Sequence, residues 1–165
     1  MSLSLLTTNG MFIIDDIYTK EGFVYRDVPG GGGMYAILGG CVVSLNTDIS
    51  EGLKWIIDCG ADFPPNLIET IKSWDSGAVF RHDCSRKTTK GWNYYRENDF
   101  RDFKYLTPKK QIRVTDWCEC FGERQLQEMK CLHLLCSSER CIDIIEELEA
   151  KNCKNGAYVW EPIPD

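Results

Sequence analysis

Apolar residues in this chain fall in short runs closed by glycine, proline or acids, and the period of the pattern changes from run to run. Residues 7–17 carry Met11, Phe12, Ile13 and Ile14 and then Asp15 and Asp16, which reads as a buried strand ending in polar groups. The carboxyl ends of strands are where open α/β sheets hold ligands. Residues 19–28 alternate weakly, with Phe23, Val24 and Tyr25 bracketed by charge, and suit a short exposed strand or hairpin arm lying as a flap over a site. Gly30 to Gly33 then lead into the small and apolar residues 34–43, the pattern of a tightly packed helix opened by a glycine turn.

Residues 53–60 suit a buried strand or a helix ending at Gly60, and residues 64–74 a helix with proline at its start. Residues 78–81 form a short strand candidate. Residues 88–95 are a polar and aromatic loop or strand leading to Phe103, Tyr105 and Pro108. Residues 131–136 read as a buried strand, residues 139–151 as an amphipathic helix with Ile142, Ile145 and Leu148 on one face, and Tyr158 to Trp160 as the start of another strand. Strands alternating with helices at this spacing predict an α/β fold, a mainly parallel sheet flanked by helices.

Composition narrows the function classes. The 165 residues are 43% hydrophobic and 12% aromatic, enough for one α/β domain with a core. A net charge of -6 disfavours phosphate backbones and anionic lipid, so neither nucleic acid nor membrane is an expected partner. Nine cysteines is an odd count, and Met1 to Leu6 lack the basic segment and apolar length of a signal peptide, which predicts a reducing, cytoplasmic setting. Cys118 with Cys120, Cys131 with Cys136, and His82 with Cys84 place soft ligands near one another, but none has paired C-x-x-C spacing. Buried reduced thiols and no metal are the expectation.

Candidate chemistry centres on Asp15 and the glycines that follow. A carboxylate accepts hydrogen bonds from hydroxyls, and a glycine turn lets main-chain groups meet the same ligand, a combination that suits a polyol. The same residues also suit a turn cap and a plain connection. Arg81, Arg86, Lys87 and Lys90 read as a solvated basic loop.

Residues 7–15, 30–40, 55–58, 88–93, 103–109 and 160–165 together resemble the PfkB carbohydrate-kinase family of the ribokinase-like superfamily, most nearly its fungal maintenance-of-killer branch. The resemblance implies a ribokinase-like fold with a small β lid at about residues 17–29, whose strands mediate homodimer contacts or close over a small-molecule hydroxyl acceptor. It places acceptor binding on Asp15, Gly30 and Gly31, with Thr88 and Thr89 facing the same site, and departs from the family at Tyr35, where many sugar kinases have asparagine. Full-length members use ATP and Mg²⁺ and take their catalytic base from a Gly-Ala-Gly-Asp turn, which this sequence does not contain. Residues 1–165 are therefore expected to be the N-terminal portion of a truncated ribokinase-like domain, without its nucleotide-binding half, binding no cofactor and inactive alone. The competing expectation is a non-catalytic binding or protein-interaction module derived from the kinase fold.

Overall fold

The apolar run beginning at Thr7 does not form one strand. In the computed structural model, which describes residues 4–45, 49–153 and 156–163, it is cut at Asn9 and Gly10 into β1 (Leu6–Thr8) and β2 (Ile13–Thr19), and the two belong to different sheets. The cut has a local cause. Asn9 turns its side chain onto β8 (Cys131–Cys136), accepting at Oδ1 from the Leu135 amide at 2.6 Å, while its own amide still donates to the His133 carbonyl at 3.2 Å, so the side chain makes the last contact with β8 as the backbone turns away. Asp15 and Asp16 therefore sit inside a strand of the second sheet rather than at the carboxyl end of a main-sheet strand.

After β2 come β3 (Val24–Gly30), α1 (Gly32–Val43), β4 (Leu53–Gly60), α2 (Pro65–Lys72), β5 (Gly77–Asp83), β6 (Lys90–Tyr95), β7 (Arg101–Tyr105), α3 (Val114–Phe121), α4 (Glu123–Gln127), β8, α5 (Ser138–Ala150) and β9 (Ala157–Pro162). The main sheet is five-stranded and parallel in the order β5-β4-β1-β8-β9. The second sheet, β3-β2-β6-β7, is a mixed four-stranded lid; the flap segment around residues 17–29 supplies part of β2 and β3, and residues 90–105 supply the rest. Met1 to Leu3, Pro164 and Asp165, on which the leader and chain-end readings fall, lie outside the described residues. Among the described residues no helix is long and apolar enough to cross a membrane.

Two apolar cores lie on opposite faces of the main sheet. On one, Met34 and Ile37 of α1 and Leu67 and Ile71 of α2 pack with Phe12, Trp55, Ile57 and Phe63. On the other, α3, α4 and α5 bring Trp117, Phe121, Leu126, Ile144 and Leu148 onto Ile56, Leu132 and Leu134. The inner stripe of α5 is Cys141, Ile144 and Leu148, while Ile142 is 57% exposed; the expected face is shifted because cysteine packs here as a small apolar residue. At roughly 3 to 5 kcal/mol for truncating a buried tryptophan or phenylalanine, Trp55 and Trp117, both fully buried, are principal anchors of the two cores.

Candidate functional site

From the central strand β1 the chain runs first to β4 and β5 on one side and later to β8 and β9 on the other, so the topological switch lies between β1 and β8. Open α/β sheets hold ligands in the crevice at that point, outside the carboxyl ends of the strands. The ends are pinned from both faces. Trp117 of α3 donates from Nε1 to the Thr8 carbonyl at 3.3 Å, and Thr8 Oγ1 accepts from the Gly10 amide at 2.9 Å while pairing with His133 Nδ1 at 2.9 Å. On the α1 side Gly10 and Gly33 lie backbone against backbone, so a Cβ on Gly33 would fall on the Gly10 carbonyl. Gly31, the residue before α1, has φ 94°, a conformation suited to glycine, and no side chain caps the helix.

Above this rim stands the lid. Asp15 on β2 faces Gly91 on β6 across the ladder, and Gly30 closes the other side: a Cβ on either glycine would meet an Asp15 carboxylate oxygen. Asn93, buried at 4% exposure, donates from Nδ2 to Asp15 Oδ1 at 2.8 Å. Burial pushes the Asp15 carboxyl above its ordinary value, and the Asn93 bond and the charge of Arg101 only partly offset it. Tyr105 of β7 stands opposite Gly91; burial and then the charge of Asp15 raise its phenol. The neighbouring Asp16 points to the other face of the lid, where Lys90 lies at 3.0 Å and also reaches Asp27 at 2.9 Å.

The structure thus brings Asp15 and Gly30 together and sets Gly31 beside them, one step along the chain at the mouth of α1. Thr88 and Thr89 are buried in the connection from β5 to β6, and their hydroxyls are engaged. Thr88 Oγ1 accepts from the Gly60 amide at 3.0 Å, and Thr89 Oγ1 from Arg86 Nη2 at 3.1 Å. Tyr35 is 61% exposed on α1. Asn93 is the residue that pattern reading passed over, although its place two positions after Gly91 on one strand sets it on the same face.

Of the four basic residues read as a solvated loop, Lys87 is exposed, whereas Arg81, Arg86 and Lys90 are engaged. Arg81 on β5 is largely buried and donates to both Asp58 oxygens, at 2.9 and 2.8 Å, and to Asp116 of α3. Burial works to lower its pKa and the two carboxylates more than reverse this, so it stays charged. Lys110 joins Asp58 at 3.2 Å, and Arg86 donates to the Pro108 carbonyl at 2.9 Å. The convergence of β4, β5 and α3 puts the carboxylates of Asp58 and Asp116 where Arg81 and Lys110 point, whereas Arg86 meets a hydroxyl and a carbonyl. The thiols are all free of disulfides; Cys136 is buried, Cys131 half-buried, and burial with the charge of Asp58 pushes Cys59 up to about 12.

A parallel sheet with its switch at the first strand, a four-stranded lid and a glycine-opened helix at the rim define a ribokinase-like fold of the kind PfkB carbohydrate kinases have, here over about half the length of such chains. In sequence the chain is a homologue of a fungal maintenance-of-killer protein, MAK32 of Saccharomyces cerevisiae, with 53% identity over 98% of this chain and 46% of that protein. Among solved structures, ribokinase from Giardia lamblia superposes with a TM-score of 0.74 at 12% identity, over 99% of this chain and 52% of that one. A PfkB protein from Polaromonas sp. JS666 gives 0.63 at 14% identity, over 99% and 56%. The chain spans about half the length of the relatives it matches. No protein-family model matches it.

Proposed function

We propose that this chain is the acceptor-binding and lid part of a PfkB-type carbohydrate-kinase homologue, and that it holds a small hydroxyl-bearing molecule between the lid and the carboxyl rim of the main sheet. The observation that carries the reading is the Asp15 carboxylate, fixed by Asn93 at Oδ1 and seated in the space that Gly30 and Gly91 leave by having no side chain, which makes it a placed acceptor of hydrogen bonds. Gly31 and the open amino end of α1 add donors nearby. Phosphoryl transfer needs a base on the acceptor hydroxyl and donors for the phosphate in flight. The sequence has no Gly-Ala-Gly-Asp turn to supply that base, and the chain spans about half the length of its relatives. Transfer is accordingly assigned to no residue here, and the 165-residue protein is expected to be inactive alone; ATP-dependent phosphorylation by the pure chain would overturn that.

Thermal-shift and calorimetric titration with a panel of sugars and polyols tests binding. The expected result is stabilisation of the wild type by at least one of them and none for Asp15→Asn with an unchanged circular dichroism spectrum. Equal response of both proteins would remove Asp15 from the site.

A second reading, a non-catalytic interaction module, draws on β9. All its residues are exposed, Tyr158, Val159 and Trp160 among them, on the outermost strand of the sheet. Tyr25, Tyr95, Phe103 and Tyr105 add exposed aromatic surface on the lid that suits a homodimer contact. A large gain of stability on adding a partner, without any response to polyols, would favour this reading.

A further inference from the structure

α1 differs from α2 and α5 in the face it turns outward. On α2 the exposed positions include Asn66, Glu69, Thr70 and Lys72, and on α5 Asp143, Glu146, Glu147 and Glu149, as expected of helices with one face on a core and one in water. α1 seats Met34, Ile37 and Cys41 on the sheet, yet its opposite side carries Tyr35 at 61% exposure, Val42 at 60% and Val43 at 87%. Leu45, at 67%, follows in the turn that ends the helix. From Gly30 to Thr47 the sequence has no charged residue. A helix that is apolar on every side is ordinarily covered on every side. The exposed parts of Tyr35, Val42, Val43 and Leu45 come to roughly 500 Å² of apolar surface, toward the upper end of what a monomer leaves in water.

Charge selects the occupant. The chain carries a net charge of -6, so two copies repel over most of their surfaces, but the outer side of α1 brings no charge to the meeting. The exposed aromatics of the lid, in contrast, stand among cations: Arg26, Arg101 and Lys104 lie over the rings of Tyr18, Phe103 and Trp92. The spacing on α1 also suits self-pairing. Tyr35 and Val42 are two helical turns apart and lie one above the other on the same side. A two-fold axis midway between them lays two α1 helices antiparallel and sets Tyr35 of each copy against Val42 of the other. Burying the patch in both copies removes about 1,000 Å² from water, the threshold for a specific interface.

We infer that the outer face of α1 pairs with the same face of a second copy of this chain, in a symmetrical dimer built on Tyr35, Val42, Val43 and Leu45. The contact uses neither the lid aromatics nor β9, and it does not depend on the acceptor reading of Asp15. Its area is small, so association is weak and concentration-dependent, roughly in the micromolar range.

Sedimentation velocity between about 1 and 200 μM tests this on the wild type, Val42→Glu, Tyr35→Lys and a lid control, Tyr25→Ser. All three positions are exposed, and circular dichroism checks that the fold is kept. The expected result is a wild type that passes from monomer to dimer over this range, with dimerisation at least about tenfold weaker in Val42→Glu and in Tyr35→Lys and unchanged in Tyr25→Ser. An equimolar mixture of Val42→Glu and Tyr35→Lys should regain a pair, because antiparallel seating sets the glutamate of one copy against the lysine of the other. A wild type that stays monomeric throughout overturns the inference and leaves the face to a different protein or to a segment of a longer chain. A dimer that neither α1 variant weakens overturns it too, and one that Tyr25→Ser abolishes moves the contact to the lid. If both α1 variants are monomeric and their mixture stays so, the antiparallel seating is overturned while the pairing through α1 stands.

Discussion

Replacing Arg81 by methionine isolates the largest electrostatic commitment of the fold. The guanidinium is 18% exposed, and the carboxylates of Asp58 and Asp116 that face it are 10% and 17% exposed, so removal strands two acids in a region that water barely reaches. Breaking a buried pair in this way costs about 3 to 5 kcal/mol, most of it the penalty of the charge left behind. Asp58 keeps Lys110 at 3.2 Å, which puts the expected loss near the lower end, about 3 kcal/mol. For a chain of this length that is a fall in Tm of about 6 to 12 °C. Urea unfolding at neutral pH measures it, and the triple variant Arg81→Met/Asp58→Asn/Asp116→Asn supplies the control. With the acids neutralised too, about 1 to 2 kcal/mol should return, since what destabilises the single variant is uncompensated charge and not lost packing. A loss under about 1 kcal/mol in the single variant, the value of an exposed ion pair, or a triple variant no more stable than the single, would refute the argument.

Asp15→Asn should raise stability at neutral pH while it removes polyol binding. Burial lifts the folded-state pKa of Asp15 above its unfolded value, so the folded state holds the extra proton and stability falls as pH rises through the window just above the ordinary carboxylate pKa. That part of the fall in Tm, setting in above the ordinary carboxylate pKa of about 4, should be missing from the variant. Gly33→Ala should cost about 3 kcal/mol or prevent folding, because its Cβ would meet the Gly10 backbone and neither segment can rotate away. Gly39→Ala in the same helix meets nothing within 4 Å and should stabilise by up to about 1 kcal/mol, which thermal unfolding of the pair would separate. Trp117→Phe should lose about 1 to 3 kcal/mol, from reduced volume and from an unpaired Thr8 carbonyl, detectable by denaturant titration.

Where an element buries a whole run, the sequence pattern was sufficient. β8 and the glycine-opened α1 follow directly from apolar stretches with clear ends, and residues 53–60, open in the pattern to strand or helix, form the strand β4. The passage from β1 to β2 was not legible, because Met11 to Ile14 are apolar on both sides of the point where the chain changes sheets. What decides it is a side chain, Asn9, bonding to a strand 126 residues away. In α3, Val114, Trp117 and Phe121 do follow helical spacing, yet Cys118, Glu119 and Cys120 between them drew attention as possible ligands instead. Of the site, Asp15 and Gly30 were readable as residue types in order, whereas the role of Asn93 depends on which strands become neighbours. The cations at Arg81 and Lys90 looked solvated for the same reason, their partners Asp58, Asp116 and Asp16 being remote in sequence.

The position of β1 also dictates an order of events at the ribosome. The strand at the centre of the main sheet precedes both of its neighbours in the chain, and one of them comes far later: Thr8 meets His133 across 125 residues. Until that neighbour emerges, β1 has at most its pairing to β4, and the face that Trp117 will cover stays open. Loop closure of this span precedes any gain from the central ladder, so folding should be slow relative to chain growth, with the half-built sheet a substrate for chaperones during that interval.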